Sequence, residues 1–360
     1  MSSTTIEADV PFEATNNELP SSQRFEFTAT GAEYFRIWIV NLLLTIVTLG
    51  IYSAWAKFRK LRYFYGSTRL AGSSFEYHGQ PRQILKGRLI AAAFILPYVV
   101  LNSVKPLWAI PFIVLFVIVT PFLVVKSRRF QTRMTSWRNI RFGFIGTYGE
   151  AAKIYLGMAL LIPLTAGLIA PYWLFAKHRF VIAKTTYGKT QFHFVASSAS
   201  YYRAYLVAVA VVLAMMFSIM LFSGAAGLMA TATGAGGESP YAAMIVTIGL
   251  MGIGYTLVFA TVHALTLNAA LSGTGIEGNR LESELAVTRV AWIYLSSAVL
   301  IVIMLGLYFP WAVVRFRRYQ LSVLTLHLSG GLNSFVASEQ QQVSATGEEM
   351  GDLLDLDFGL

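Results

Sequence analysis

Charge-free apolar stretches recur along the chain at 89–104, 107–125, 204–233 and 241–261. Each approaches the ~20 apolar residues that a helix needs to cross a hydrocarbon core. Three further apolar segments, near 34–56, 151–175 and 288–312, are interrupted. Each holds a glycine (Gly50, Gly167 or Gly306), followed four positions later by Ala54, Pro171 or Pro310. Glycine and proline both loosen a helix, proline by removing a donor and crowding the preceding turn. Around the first two of these segments the pattern changes to apolar/polar alternation, the period of a strand. Phe25 and Phe27, then Phe142 and Phe144, precede the apolar run; Phe75 and Tyr77, then Phe192 and Phe194, follow it.

The interrupted segments are copies of one another. Arg24, Arg141 and Arg280 align under displacements of 117 and 256 positions. In the same register fall Gly50, Gly167 and Gly306, then Trp55, Tyr172 and Trp311, then Arg62, Arg179 and Arg318, then Tyr63, Phe180 and Tyr319. The repeat units are about 24–77, 141–194 and 280–335, and each is expected to contain a broken or kinked helix at its glycine and, where present, its proline. The third copy has Leu281 and Ser283 where the others have phenylalanine, so a small β element from the first two copies is expected.

With 360 residues, 56% of them hydrophobic and only 13% charged, the chain has more apolar surface than a soluble core absorbs. The net charge of +10 does not read as a nucleic-acid footprint, because Lys and Arg cluster just beyond apolar segments, where anionic lipid head groups lie. Residues 57–88 and 126–141 are rich in Lys and Arg and are placed in the cytoplasm. If all seven apolar segments spanned, residues 177–203, with five cations and no acid, would be exported. The conflict disappears if the repeated segments re-enter from the cytoplasmic face.

The expected fold is therefore an all-α polytopic membrane protein with small β elements flanking repeated helices. It has four long spanning helices, in hairpins at about 88–125 and 204–270, plus three broken or re-entrant units; seven spanning helices are the alternative. The membrane domain covers 24–336, between polar tails at 1–23 and 337–360 that are expected to be disordered and cytoplasmic. The first tail lacks the basic start and apolar middle of a cleavable signal.

Chemical signatures are sparse. There is no cysteine, the five histidines show no metal-ligand spacing, and no cofactor motif stands in a supporting context, so neither metal nor cofactor is expected, and no enzyme activity. Residues 273–278 match Gly-x-Gly-x-x-Gly but read as a loop, and 183–190 read as a basic turn between strands. His263 is the ionisable residue well inside the 241–270 segment, a position a bilayer makes costly. It is a candidate ligand group, weighed against a hydrogen bond to a neighbouring helix. Gly249, Gly252 and Gly254, with Gly224 and Gly227, are expected to allow close helix packing. Arg62, Arg179 and Arg318 either extend to lipid phosphates or converge on one anionic ligand.

The run Thr48-Leu-Gly-Ile-Tyr-Ser-Ala-Trp-Ala-Lys-Phe-Arg59, preceded by residues 25–35 and echoed by 137–142, resembles the YjgN-like family of bacterial inner-membrane proteins. The resemblance covers roughly 24–336. It implies a bacterial inner-membrane location and a domain of unknown function, and transfers no catalytic residue. Ala54 replaces the proline of the usual Gly-Ile-Tyr-x-Pro-Trp form, which Pro310 keeps in the third copy. Repeats and broken helices are what transporters use to build a midplane site. The leading expectation is transport or binding of a small or lipidic anionic ligand at the repeat interface, without carboxylate-driven coupling, since the apolar segments lack acids. The alternative is a membrane scaffold that binds lipid or a membrane-protein partner in an envelope complex.

Overall fold

The computed structural model describes residues 22–233, 240–329, 332–333 and 335–342. The expected tails at 1–21 and 343–360, and most of the expected outer turn near 231–240, lie outside the described residues. The chain alternates helical hairpins with short strands. β1 (Ser22–Phe27) leads into α1 (Gly31–Val47) and α2 (Ser53–Gly66), and β2 (Thr68–Leu70) and β3 (Ser73–Tyr77) into α3 (Pro81–Val104) and α4 (Pro106–Arg133). Next come β4 (Thr135–Trp137) and β5 (Ile140–Phe144), then α5 (Tyr148–Ala152), a π-helical stretch Lys153–Met158, α6 (Ala159–Leu164) and α7 (Ala170–Ala183). β6 (Thr185–Tyr187), β7 (Thr190–Gln191) and β8 (His193–Phe194) precede α8 (Ser198–Thr233) and α9 (Pro240–Ser272). β9 (Thr274–Ile276) and β10 (Asn279–Ser283) precede α10 (Val287–Ile303) and α11 (Phe309–Ser322), and β11 (Leu324–His327) ends the series.

The strands do not form small separate elements. They join in one antiparallel sheet of order β7-β6-β5-β4-β3-β2-β1-β11-β10-β9-β8. Its two ends, β7 and β8, are separated in sequence by Phe192 alone, so the stretch 190–194 pairs on both sides and the sheet closes into a barrel. Closure removes the exposed edges that strands of two to six residues could not otherwise protect. The third repeat copy contributes fully: Leu281 and Ser283 pair with Leu326 and Leu324. The segment read as a Gly-x-Gly-x-x-Gly loop is β9 and its turn. Gly275 is needed there because a Cβ would lie 3.0 Å from the Asn279 carbonyl.

Alternating strand residues fill the barrel. Phe25, Phe75, Phe142 and Phe192 follow one another around its wall with ring centroids 6.4 Å apart at each step, and Leu281 occupies the fifth position. Leu70, Trp137, Tyr187, Ile276 and Leu326 pack beside them. All five helical hairpins connect neighbouring antiparallel strands and so rise from the same rim. The opposite rim carries the tight turns and is covered by the C-terminal segment. There Leu332, Phe335 and Val336 enter the core, and Glu339, 1% exposed, accepts hydrogen bonds from Lys189 N (2.9 Å) and Thr190 Oγ1. Ordered chain therefore runs past the boundary expected at 336. Glu339→Leu removes the acceptor of both hydrogen bonds, each to a charged group and worth about 1.5–3 kcal/mol. Limited proteolysis is expected to cut after 329 far faster in that variant than in wild type.

The repeated apolar segments are not single helices. α1 ends at Val47 and α2 starts at Ser53, and the turns at 48–52, 165–169 and 304–308 have one geometry. Leu49, Ala166 and Leu305 have φ of 48°, 48° and 50°, and the glycines that follow have 90°, 83° and 88°. Gly50 N donates to Thr45 O, Gly167 N to Ile162 O and Gly306 N to Ile301 O at 2.7–2.8 Å. Glycine is required by this left-handed backbone and not by space, since a Cβ at any of the three would meet nothing within 4 Å. Pro171 and Pro310 kink nothing; they stand at the first turn of α7 and α11, where a missing N–H is harmless. Ala54 opens α2 equally well and is fully buried.

Among the described residues, four helices are long and apolar enough to cross a membrane: α3, α4, α8 (over Ser198–Phe222) and α9 (over Met244–Ser272). They extend well beyond the hairpins expected at 88–125 and 204–270, down to the barrel rim. Lys105 alone separates α3 from α4. Of the glycines expected to bring helices together, Gly254 does so, with Met215 of α8 in the place of its side chain. Gly224, Gly249 and Gly252 have open space around them.

Candidate functional site

The helical rim of the barrel opens into a chamber between the lower ends of the hairpins. One cavity of about 330 Å³ is lined by Phe25 and Phe75 of the barrel, by Lys60 and Phe64 of α2, and by Arg317 and Leu321 of α11. A neighbouring cavity of about 270 Å³ shares Phe75 and Tyr65 with it and adds Phe142, Arg128 and Gln131 of α4, and Val181 of α7. Lys177 of α7 stands close to Arg128, its ammonium 4.1 Å from the centre of the Trp173 ring. Lys60 and Arg317 thus face the first cavity and Arg128 its neighbour, while Lys177 stands beside Arg128 and lines neither.

Nothing acidic balances them. Among the described residues the ion pairs are His78–Glu76, Lys184–Glu150 and His327–Glu282, all elsewhere. Apolar surroundings, and secondarily the Arg317 charge, hold the Lys60 ammonium below the usual lysine range; the same surroundings and Arg128 act on Lys177. An anion entering here would gain charge–charge attraction in a poorly solvated place and relieve repulsion already present.

The residues singled out in the sequence lie apart from this chamber. Arg318 donates to the Ala29 carbonyl at 2.8 Å and so secures the corner between β1 and α1. Arg129 does the same for Gly146 after β5 (2.9 Å). Arg62 stands with Arg36 and Arg59 in an open groove between α1 and α2, and Arg179 is exposed on α7. The three arginines share no cavity described here. His263 Nδ1 lies 3.2 Å from Tyr294 Oη of α10 and packs against Phe316 of α11. The repeated aromatics have structural work: Tyr63 Oη accepts from Thr30 N (3.0 Å) and Tyr319 Oη from Ala286 N (2.9 Å), each fixing a strand-to-helix corner. Asn268, another polar residue in an apolar segment, donates to Leu285 O and accepts from Leu285 N, both at 2.9 Å.

Lys60 and Lys177 were missed although they are equivalent under the 117-residue displacement. They precede Arg62 and Arg179 by two positions, which on a helix is nearly the opposite face. With cations on both faces of α2, only the tertiary packing reveals which face turns inward.

Residues 22–353 match the model of a family described as "Bacterial protein of unknown function (DUF898)". The chain belongs to this family. Among curated proteins, the Inner membrane protein YjgN of Escherichia coli (strain K12) is 35% identical over 124 residues, 34% of this chain and 31% of that protein. Inner membrane protein YjgN of Salmonella typhimurium (strain LT2) is 35% identical over 121 residues, 33% of this chain and 30% of that protein. The matched region thus spans about a third of the length of these relatives. No solved structure matches the chain.

Proposed function

We propose that this is a multi-pass inner-membrane protein that binds a small or lipidic anion in the chamber between its helical repeats and its barrel. The observation that carries the reading is that Lys60 and Arg317 line one cavity and Arg128 the adjoining one, with no carboxylate in the lining of either. The location rests on the four apolar helices and on the printed name of the relatives. The basic residues at the lower ends of α3 and α4 support a cytoplasmic side for the barrel.

The same frame supports re-entrant repeats. Exposed large apolar residues begin at Val40 in α1 and at Leu89 in α3, nine and eight residues from the helix starts. At ~1.5 Å per residue this places the hydrocarbon boundary roughly 12–14 Å from the barrel rim. α1 has 17 residues, so its tip extends roughly 11–13 Å farther, less than half of a core ~30 Å thick. The cations of the chamber lie roughly 8–9 Å from the rim, at head-group level. A second reading, a platform for lipid or a protein partner, draws on one feature, the open groove holding Arg36, Arg59 and Arg62.

Native mass spectrometry of protein extracted in a neutral detergent tests the choice. Wild type is expected to retain an acidic phospholipid or a smaller anion, and Lys60→Gln/Arg317→Gln to lose it by about tenfold or more, since each unpaired charge partner is worth over 1.4 kcal/mol. Arg62→Ala should leave retention unchanged. Loss in Arg62→Ala with retention in the double variant would move the site to the outer groove and sink the chamber reading.

A further inference from the structure

The barrel beneath the chamber is not completely filled. It holds an apolar cavity of about 210 Å³, whose walls include the aromatic ring described above and Trp137. The polar groups at its wall are already committed: Asn279 Oδ1 accepts from Ser329 N at 3.0 Å, and Thr274 Oγ1 donates to Ala270 O at 2.8 Å. A cavity offering water no partners stays dry and favours an apolar occupant. Leu332 and Phe335 line it from the C-terminal cover.

This cavity adjoins the cationic chamber: Phe25 and Phe75 stand between the two and line both, and Phe142 stands likewise between it and the Arg128 side. Between them stands the ring of Phe25, Phe75, Phe142, Phe192 and Leu281, in which the three steps between phenylalanines are 6.4 Å; a five-sided ring with that spacing throughout would set its members roughly 5 Å from the axis, carbon-contact distance for a single file of methylenes. A hydrated head group does not fit through such an opening. The cavity volume corresponds to roughly seven groups of water-like size, at ~30 Å³ each.

Building on the chamber reading, we infer that the ligand is a single-chain acidic amphiphile, with its anionic head among Lys60, Arg128 and Arg317 and its chain threaded through the aromatic ring into the apolar barrel. Charge on one side of the ring and a dry, narrow pocket on the other select for both halves of such a molecule. A free small anion uses only the chamber, and a neutral alkyl chain only the barrel.

Trp137 provides the test because it lines the pocket. Full-length protein in lipid nanodiscs is titrated with decyl phosphate carrying bromine on its terminal carbon. Binding is expected to quench tryptophan emission, and the conservative variant Trp137→Phe to lose most of that quenching while still binding the probe. Inorganic phosphate should compete at least tenfold less well than unbrominated decyl phosphate, and n-decanol should not compete. Quenching identical in wild type and Trp137→Phe, with the probe still displaced from wild type but not bound by Lys60→Gln/Arg317→Gln, overturns the chain placement and leaves the chamber standing. Inorganic phosphate competing as well as decyl phosphate overturns it in the same way. No binding of any anion to wild type overturns both readings.

Discussion

A single cysteine at Leu49 or Leu305 is expected to stay unlabelled by a membrane-impermeant maleimide from either side of the membrane. A cysteine at Lys184 should label only from the cytoplasmic side, and one at Lys105 only from outside. The native chain has no cysteine, so the background is silent. Leu49 is 94% exposed and Leu305 91% exposed. None of the described residues covers either tip, so protection is expected to come from lipid. The tips also carry Val47, Val302 and Ile303 in exposed positions, a concentration of apolar surface that water would penalise by ~25 cal/mol per Å². If Leu49→Cys reacts from outside, the repeats reach across the membrane; if it reacts from the cytoplasm, the hairpins stand in water. Either result removes the geometric basis for placing the cations at head-group level.

Much of this geometry is legible in the sequence, for a physical reason. Helix breaks demand residues with special backbone freedom, so Gly50, Gly167 and Gly306 mark the three turns, and long charge-free runs mark the four apolar helices. The barrel is not legible. Alternation marks the strands around Phe25, Phe75, Phe142 and Phe194, but the others are two to five residues long, and the pairing that closes the sheet, β1 against β11, joins opposite ends of the described chain. Leu281 breaks the phenylalanine pattern that would have announced the fifth corner, yet it fills that corner. The C-terminal cover was hidden by composition: Glu339 sits in a polar, acidic stretch that reads as disordered, and its burial depends on the Gly188 turn, where a Cβ would collide with the carboxylate.

The candidate site illustrates the same limit. Repetition drew attention to Arg62, Arg179 and Arg318, but symmetric placement serves structure as readily as binding. Arg318 is spent on a backbone carbonyl. The inward cations are not strictly repeated: the position equivalent to Lys60 and Lys177 in the third copy is Phe316, and Arg317 beside it supplies the charge. A chamber built from near-equivalent units needs its charges on the inner face, not in identical register.

Trp137→Ala is expected to be the most damaging single substitution outside the helices. The indole is 4% exposed, stacks on Phe75 with centroids 6.1 Å apart and meets Tyr187 at 5.9 Å. Its Nε1 donates to Ser73 O at 3.3 Å, and its own carbonyl accepts from Tyr187 Oη at 3.1 Å. Truncation removes a side chain whose loss typically costs about 3–5 kcal/mol and leaves a cavity beside one already present. The barrel cannot collapse around it, because closure fixes the spacing of every strand. The variant should show a markedly lower midpoint for heat-induced loss of barrel protection, read by proteolysis within 135–144, while its spanning hairpins stay inserted in the membrane. Trp137→Phe keeps most of the packing and should fall midway between the two. If Trp137→Ala matches wild type in this assay, the barrel interior is more compliant than its packing implies, and a narrow passage through the aromatic ring would lose its rigidity as a selector of ligand shape.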